Sequence, residues 1–437
     1  MTHGGGPSLA PGIPLDEPER ALIELATSPD AAQRCVQVAL AAQTTDSVVI
    51  ENVFYSPGRD CVVLLTIGGD RPHESRHAVV TIRRDNVLRE AYRDRYASMA
   101  AGGTAMTPAA VLVEDGGYLV ELFPMDFKLP SLPWALEPAE VGAVMPAIHG
   151  SRADVTVLRY VPHRRAVLGY PSGGGEVIGK LFARHGKAVQ AWTALNAVHA
   201  VSRGRGVAVP APLRYVADRD LVLMERLAGT PLDRVLSGAT PGSGGRQAVA
   251  AAARLLAALH DLAPPDLPSP PPKLDEVRRL ARRLRCIAPC LVERVEMLLE
   301  VVPPALASSS PPRTLVHGAY APRQLLLDGD QVSIVDVDSA GYGDPAADVG
   351  YFMASLHDDA AATGRGELRE LASHFLDCYL AERPSAGLAT RARLHQGIVL
   401  LRGGLHSFCR PCRPPPGAPS LLPYLLLEEA AECLQAA

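Results

Sequence analysis

The stretch best equipped for chemistry runs from His317 to Asp348. It holds His317-Gly-Ala319, then Gln324, then Asp336-Val-Asp338, then Gly343-Asp344-Pro-Ala-Ala-Asp348. Between Gln324 and Asp336, two short apolar runs are turned by Asp328-Gly329-Asp330, which signals a hairpin. Such a hairpin sets Gln324 and Asp336 at the same end of two strands. An amide oxygen and a carboxylate so placed, with Asp338 two residues on, suit a hard divalent cation. Upstream, Lys180 follows a Gly-rich turn within the strand-like run Glu176–Phe182. It is either a phosphate contact or a strand-end lysine on a solvated face. Gly174 to Lys180 also mimics a P-loop, but Leu181 stands where Mg2+ binding needs Ser or Thr, and the run reads as a strand rather than a helix start.

The elements that must position these residues follow from periodicity and punctuation. Three β-branched runs (47–54, 61–67 and 78–82) and a hairpin over 109–123 precede a Pro-interrupted segment, 123–133. Three more strands are predicted over 155–161, 166–170 and 176–182, then a helix over 186–201 and strands over 213–217 and 221–225. Helices over 246–262 and 274–287 follow, with further helices to the C-terminus. The outline is a β-rich lobe, a hinge and a mainly helical lobe. One internal echo is visible: Tyr55-Ser-Pro-Gly-Arg59 resembles Tyr160-Val-Pro-His-Arg164, each followed by an apolar pair. A duplicated β-lobe would explain it, and so would chance.

The His317–Asp348 segment resembles the aminoglycoside-phosphotransferase and choline-kinase-like enzymes, relatives of protein kinases. Their pattern is His-Gly-Asp, four residues, Asn, then Ile-Asp-Phe-Asp and Gly-Asp-Pro-x-x-Asp-Leu. The resemblance extends to Val161–Lys180, to the hinge-like Leu221–Gly229 and to Leu255–His260, and so covers about residues 150–435. It implies an α+β, bilobal protein-kinase-like fold, with a small β-rich N-lobe (151–232) and a large helical C-lobe (233–437). A tail (1–16) and a smaller α+β N-terminal domain (17–150), read as a degenerate N-lobe-like copy, precede it. It implies ATP and Mg2+ as cofactors. Adenine would lie against Glu225–Leu227. Phosphates would meet Lys180 and Arg164, in the loop 162–165. The cation would sit on Asp336 and Gln324 with help from Asp338, while His317, Asp344 and Asp348 brace the loop. The acceptor would be a hydroxyl on a small molecule.

Two departures weigh against full activity. In the family the Asp of His-Gly-Asp accepts the proton of the substrate hydroxyl, and here Ala319 replaces it. Loss of a general base costs about 10²–10⁴-fold in rate. Kinases also hold the strand lysine with a Glu on the next helix, yet no Asp or Glu lies between Lys180 and Asp218. Gln190, on that helix, can hydrogen-bond but cannot form an ion pair. Gln for Asn at position 324 keeps the amide oxygen, as in maltokinase-like relatives. The reading is a kinase-fold protein with impaired or absent transfer, acting as a scaffold or regulator of a partner protein. The alternative is an active phosphotransferase with a substitute base.

Composition sets the outer limits. The chain has 437 residues, 47% hydrophobic and 21% charged, with 43 basic against 47 acidic side chains. That describes a globular protein of two or three domains without a global nucleic-acid footprint. No 18-residue apolar span and no secretory leader are legible, and eight cysteines in so long a chain read as reduced thiols. The expected setting is the cytoplasm. Cys409-Arg-Pro-Cys412 with His406 lacks a second cysteine pair and reads as a surface loop rather than a zinc site. Cys286 and Cys290 read as core packing, and Arg278–Arg285 as a solvated helix face.

Overall fold

Alternation of β-branched and polar residues builds two five-stranded antiparallel sheets. The computed structural model describes residues 33–37, 48–56, 59–68, 76–83, 86–96, 110–114, 117–238, 243–262, 267–285, 288–300, 302, 313–408 and 421–436. The expected tail, most of the helical pattern over 18–43, and Cys286, Cys409 and Cys412 lie outside these residues.

The first sheet comprises β1 (Val48–Ser56), β2 (Asp60–Ile67), β3 (Arg76–Arg83), β4 (Ala110–Val113) and β5 (Tyr118–Leu122), with helix α1 (Val87–Arg95) between β3 and β4. Its strand order is β1-β2-β3-β5-β4. Residues 123–150 then carry two short helices, α2 (Leu132–Ala135) and α3 (Pro138–Val144). The second sheet has β6 (Thr156–Val161), β7 (Arg165–Ser172), β8 (Gly175–Phe182), β9 (Pro212–Val216) and β10 (Leu221–Glu225), with α4 (His185–Ser202) between β8 and β9. Its order is β6-β7-β8-β10-β9. Strand order and helix position are therefore the same in both sheets. The spacing that takes Tyr55 onto Tyr160 also takes Val62 onto Val167. Val62 pairs with Thr81 and Val167 with Lys180, so Thr81 stands in the first sheet where Lys180 stands in the second.

The rest is helical apart from short strands. It comprises β11 (Thr230–Pro231), α5 (Leu232–Gly238), α6 (Ser243–His260), α7 (Lys273–Leu284) and α8 (Pro289–Glu300). There follow β12 (Thr314–Val316), β13 (Leu325–Asp328), β14 (Gln331–Ile334), β15 (Gly341–Gly343), α9 (Pro345–Thr363), α10 (Glu367–Glu382), α11 (Leu388–Phe408) and α12 (Leu422–Gln435). Sequence reading missed α1, α2, α3 and α5, all under ten residues and too short for a clear 3.6-residue period.

Four apolar cores hold these layers, the smallest formed by Leu88, Tyr96, Ala110, Leu119 and Phe127. One face of the first sheet (Val53, Cys61, Val63, Leu65, Val80) is continuous with Val277, Leu284, Val292 and Leu401 of α7, α8 and α11. The first sheet thus shares its core with the large lobe rather than forming a self-contained unit. The Pro-interrupted segment, read as a separator, instead packs Leu129, Leu132 and Val141 under Leu168, Tyr170 and Leu223 of the second sheet. The large lobe is built on α6, α9 and α10 around Phe352 and Phe375, whose rings stack 3.9 Å apart. Cys290, expected in the core, is exposed in the first turn of α8, whereas Arg278, Arg279, Arg282 and Arg283 of α7 face solvent as expected. Among the described residues no helix is long and apolar enough to cross a membrane.

Helix α9 crosses α11 at Gly350. A Cβ there would collide with the Ala392 carbonyl oxygen and stand 2.7 Å from the Gln396 amide nitrogen, both backbone atoms. Gly350→Ala is therefore predicted to destabilise the protein by about 3 kcal/mol in urea titration. A gain of about 1 kcal/mol, the usual effect of Gly→Ala in a helix, would show that the two helices part freely.

Candidate functional site

The site forms where the second sheet meets the loop after β14. Lys180 lies opposite Val167 in the β7–β8 ladder, and Phe182 opposite Arg165, so Lys180 and Arg165 share one face of the sheet. From that face the Lys180 ammonium donates to Asp336 Oδ1 and, at 2.5 Å, to Asp338 Oδ2. Arg165 Nη1 stands 3.7 Å from Asp336 Oδ1. Asp336 adopts a left-handed conformation (φ 65°, ψ 40°) just before a single 3₁₀ turn, Val337–Ser339. Asp tolerates that backbone better than most residues because its short side chain bonds locally. Gln190 of α4 donates to the Asp338 carbonyl at 3.0 Å. Gln190, which cannot form an ion pair with the lysine, fixes the loop that carries the lysine's carboxylates.

Gln324 completes the group. Its Nε2 is 3.4 Å from Asp336 Oδ2, while its buried Oε1 accepts no hydrogen bond. A buried acceptor without a donor, next to a carboxylate, fits a cation ligand. Among the described residues no three His, Cys, Asp or Glu side chains form a metal cage. Mg2+ takes one or two protein carboxylates and leaves its other positions to phosphates and water. Asp336, Gln324 and Asp338 are the residues that would hold it.

The charges are strongly coupled. Burial would raise the Asp336 carboxyl, but the Lys180 ammonium, and then Arg165, hold it well below the usual carboxylate range. Asp338 goes the other way, because burial outweighs its share of Lys180. Burial would lower Lys180, yet Asp336 and Asp338 together raise it. One ammonium therefore serves two carboxylates.

Beneath this group, Asp348 fastens the chain on which Ala319 sits. The buried carboxylate accepts from the amides of His317 (2.6 Å) and Gly318 (2.9 Å) and lies 3.3 Å from His260 Nε2. His260 Nδ1 lies 2.7 Å from the Tyr379 hydroxyl. Gly318 has φ 79°, and a Cβ there would meet the Ser339 backbone, so only glycine fits. His317 Nε2 lies 3.1 Å from the Val335 carbonyl oxygen. Asp344 caps α9 by accepting from the Ala346 amide (3.0 Å) and takes Nε of Arg391 at 2.9 Å. His260 and Arg391 were not legible as site residues, since each lies far from the motif in sequence.

Arg164 and the loop around it stand elsewhere than expected. The Arg164 guanidinium lies 5.9 Å from the Phe54 ring of β1, away from the acids. His163, in a left-handed conformation, donates its amide to Asp126 Oδ2 at 2.8 Å. Its Nε2 lies 3.3 Å from Glu121 and 3.4 Å from Thr81 Oγ1. Two-residue alternation from Lys180 across the ladder identifies Arg165, not Arg164, as the arginine facing Asp336. Glu225 ends β10, where it exchanges hydrogen bonds with Ala211 at 3.0 Å, and Leu227 lies in the link that follows.

A β-sheet lobe with a lysine strand, set over a helical lobe with an acid-bearing loop, is the bilobal protein-kinase-like architecture. The sequence pattern of the phosphotransferase enzyme family matches residues 163–384, half of the chain. The chain belongs to this family. It is similar in fold to a choline/ethanolamine kinase family protein from Mesorhizobium loti (14% identity, TM-score 0.50), covering 70% of this chain and 99% of that one. A macrolide 2'-phosphotransferase from Brachybacterium faecium (20% identity, TM-score 0.42) is matched over 68% of this chain and 97% of its own. A choline kinase from Streptococcus pneumoniae (11% identity, TM-score 0.46) is matched over 68% and 97%. No curated protein matches the sequence.

The Asp348 cradle yields a pH-dependent prediction. Burial would raise its carboxyl, but His260 and then the other partners hold it below the ordinary carboxylate value. A depressed folded pKa contributes stability above the unfolded value and loses it as pH falls through the folded one. Asp348→Asn should cost about 3 kcal/mol at pH 7, and the deficit should shrink below about pH 4. Equal deficits at both pH values in denaturant titrations would contradict this account.

Proposed function

We propose that this protein binds ATP with Mg2+ between the second sheet and the Asp336 loop, and transfers the γ-phosphoryl group poorly or not at all. The observation that carries this reading is the Lys180 ammonium held over Asp336 and Asp338, with the unpaired Gln324 Oε1 beside them. Lys180 and Arg165 would meet the phosphates, and the backbone of Glu225–Leu227 would meet adenine. Asp336, Gln324 and Asp338 would hold the cation, whose chemistry is to neutralise charge on the transferred group.

Impaired transfer follows from Ala319 and from how the neighbouring carboxylates are used. Alanine neither accepts a proton nor orients a hydroxyl. Asp336 and Asp338 are committed to Lys180, Asp344 to Arg391 and the Ala346 amide, and Asp348 to His260 and two amides. A substitute base would have to leave one of these bonds. Positioning and electrostatics still supply much of the acceleration in phosphoryl transfer, so slow transfer to a small-molecule hydroxyl is compatible with the site. Its role is then that of a nucleotide-binding scaffold or regulator. The acceptor, wherever transfer occurs, is a hydroxyl on a small molecule. Free thiols at Cys35, Cys61, Cys290, Cys378 and Cys433 support a cytoplasmic setting.

Calorimetry should detect Mg2+-dependent ATP binding by the wild-type chain, lost in Asp336→Ala. ATP hydrolysis should rise about 10²-fold or more in Ala319→Asp. Brisk wild-type turnover that Asp336→Ala abolishes would overturn impaired transfer. No nucleotide binding at all would overturn the whole reading.

A further inference from the structure

A cavity of about 300 Å³ opens where the first sheet's helix α1, the segment after β5 and the far end of β8 meet. It is separate from the group around Asp336. Its walls include Arg95 at the end of α1, the run from Phe127 to Ser131, Leu181–Ala183, and Arg219 with Asp220 in the β9–β10 turn. Three cationic side chains thus face one carboxylate. Asp220 is itself engaged, with His185 Nδ1 2.7 Å from its Oδ1. Arg95 and Lys128 have no ion-pair partner among the described residues, and Arg219 reaches only the exposed Asp218, at 3.4 Å.

These cations are held in place. Asp126 Oδ1 accepts from the amides of Lys128 (2.8 Å) and Leu129 (3.1 Å), which fixes the backbone that carries the lysine. The Lys128 ammonium lies 5.2 Å from the Phe127 ring, and the Arg219 guanidinium 5.1 Å from the Trp134 ring. Half-buried Lys128 is partly stripped of water, and burial pushes its pKa down despite the pull of Asp60 and Asp126. A multiply charged anion would relieve that cost. Two guanidinium-bearing residues and one lysine lining the same cavity match a group with several equivalent oxygens better than a single carboxylate.

We propose that this cavity binds a small phosphate-bearing molecule, held by Lys128, Arg95 and Arg219. The inference goes beyond the nucleotide reading and does not depend on it, because none of these side chains touches Asp336, Asp338 or Lys180.

The test is calorimetric titration of inorganic phosphate into the full chain at constant ionic strength. Wild type should bind, Lys128→Met should weaken binding at least about tenfold, and Arg95→Gln should weaken it several-fold. Arg282→Gln, on the solvent face of α7, should bind phosphate as wild type does. Arg95 is exposed at a helix end, so its variant reports even if Lys128→Met fails to fold. No binding by wild type would overturn the proposal, as would unchanged binding in both Lys128→Met and Arg95→Gln. Loss confined to Arg165→Gln would also overturn it by assigning the phosphate to the Lys180 face.

Discussion

The ion pairing of Lys180 with Asp336 and Asp338 is the constraint on which the rest of the site depends. It joins the second sheet to the large lobe through a buried ammonium that serves two carboxylates. Removing such charges from water costs several kcal/mol each, and their mutual attraction offsets this only when the geometry is good. The surroundings supply that geometry: the left-handed Asp336 turns the loop, Gln190 fixes its carbonyl, and the β7–β8 ladder sets the height of Lys180. In a kinase with a glutamate on the helix, the lysine is held from that side. Here the helix offers an amide, and the acids of the loop take over the lysine. The same contact that keeps the lobes together therefore occupies the side chains a cation and triphosphate would need. A bound cation would have to share Asp336 and Asp338 with that ammonium, or displace it.

The scaffold around position 319 is built from backbone and distant side chains. The peptide around it is held by Asp348, His260 and the glycine at 318, none of which relies on a side chain at position 319. That independence lets the loop keep its backbone whatever side chain stands at position 319. Asp344 acts in the same way at the start of α9, where capping and the Arg391 ion pair are structural.

What could be read in the sequence followed the range of the forces involved. Strands of alternating β-branched residues were legible because sheet burial has a two-residue period, and the Asp328–Asp330 turn announced itself by its residues. The approach of Gln324 to Asp336 followed from that turn alone. Lys180 meeting Asp336 was legible only through the family resemblance, since no local rule brings positions so far apart together. The sequence suggests Arg164 for the phosphates because it lies in the turn between two strands. The residues of that turn instead bond the first sheet, through Asp126 and Glu121. The buried Glu121, raised by desolvation against the pull of His163, leaves no signature in sequence beyond one acidic residue in an apolar run.

The first sheet repeats the second in strand order yet occupies a different place in the energetics. Thr81 stands where Lys180 would be and faces His163 instead of an acidic loop. Its opposite face is shared with helices α7, α8 and α11 of the large lobe. Through one face it grips the large lobe, and through Glu121, Asp126 and Thr81 it grips the β6–β7 hairpin of the small lobe. Lobe opening in a bilobal fold needs a hinge with few contacts across it. A third body bonded to both lobes raises the cost of opening, because a buried apolar face or a buried polar network must come apart with it. The chain thus carries, outside the segment its family shares, a restraint on the motion that a turning-over kinase requires. That restraint is in keeping with the impaired transfer proposed for this site.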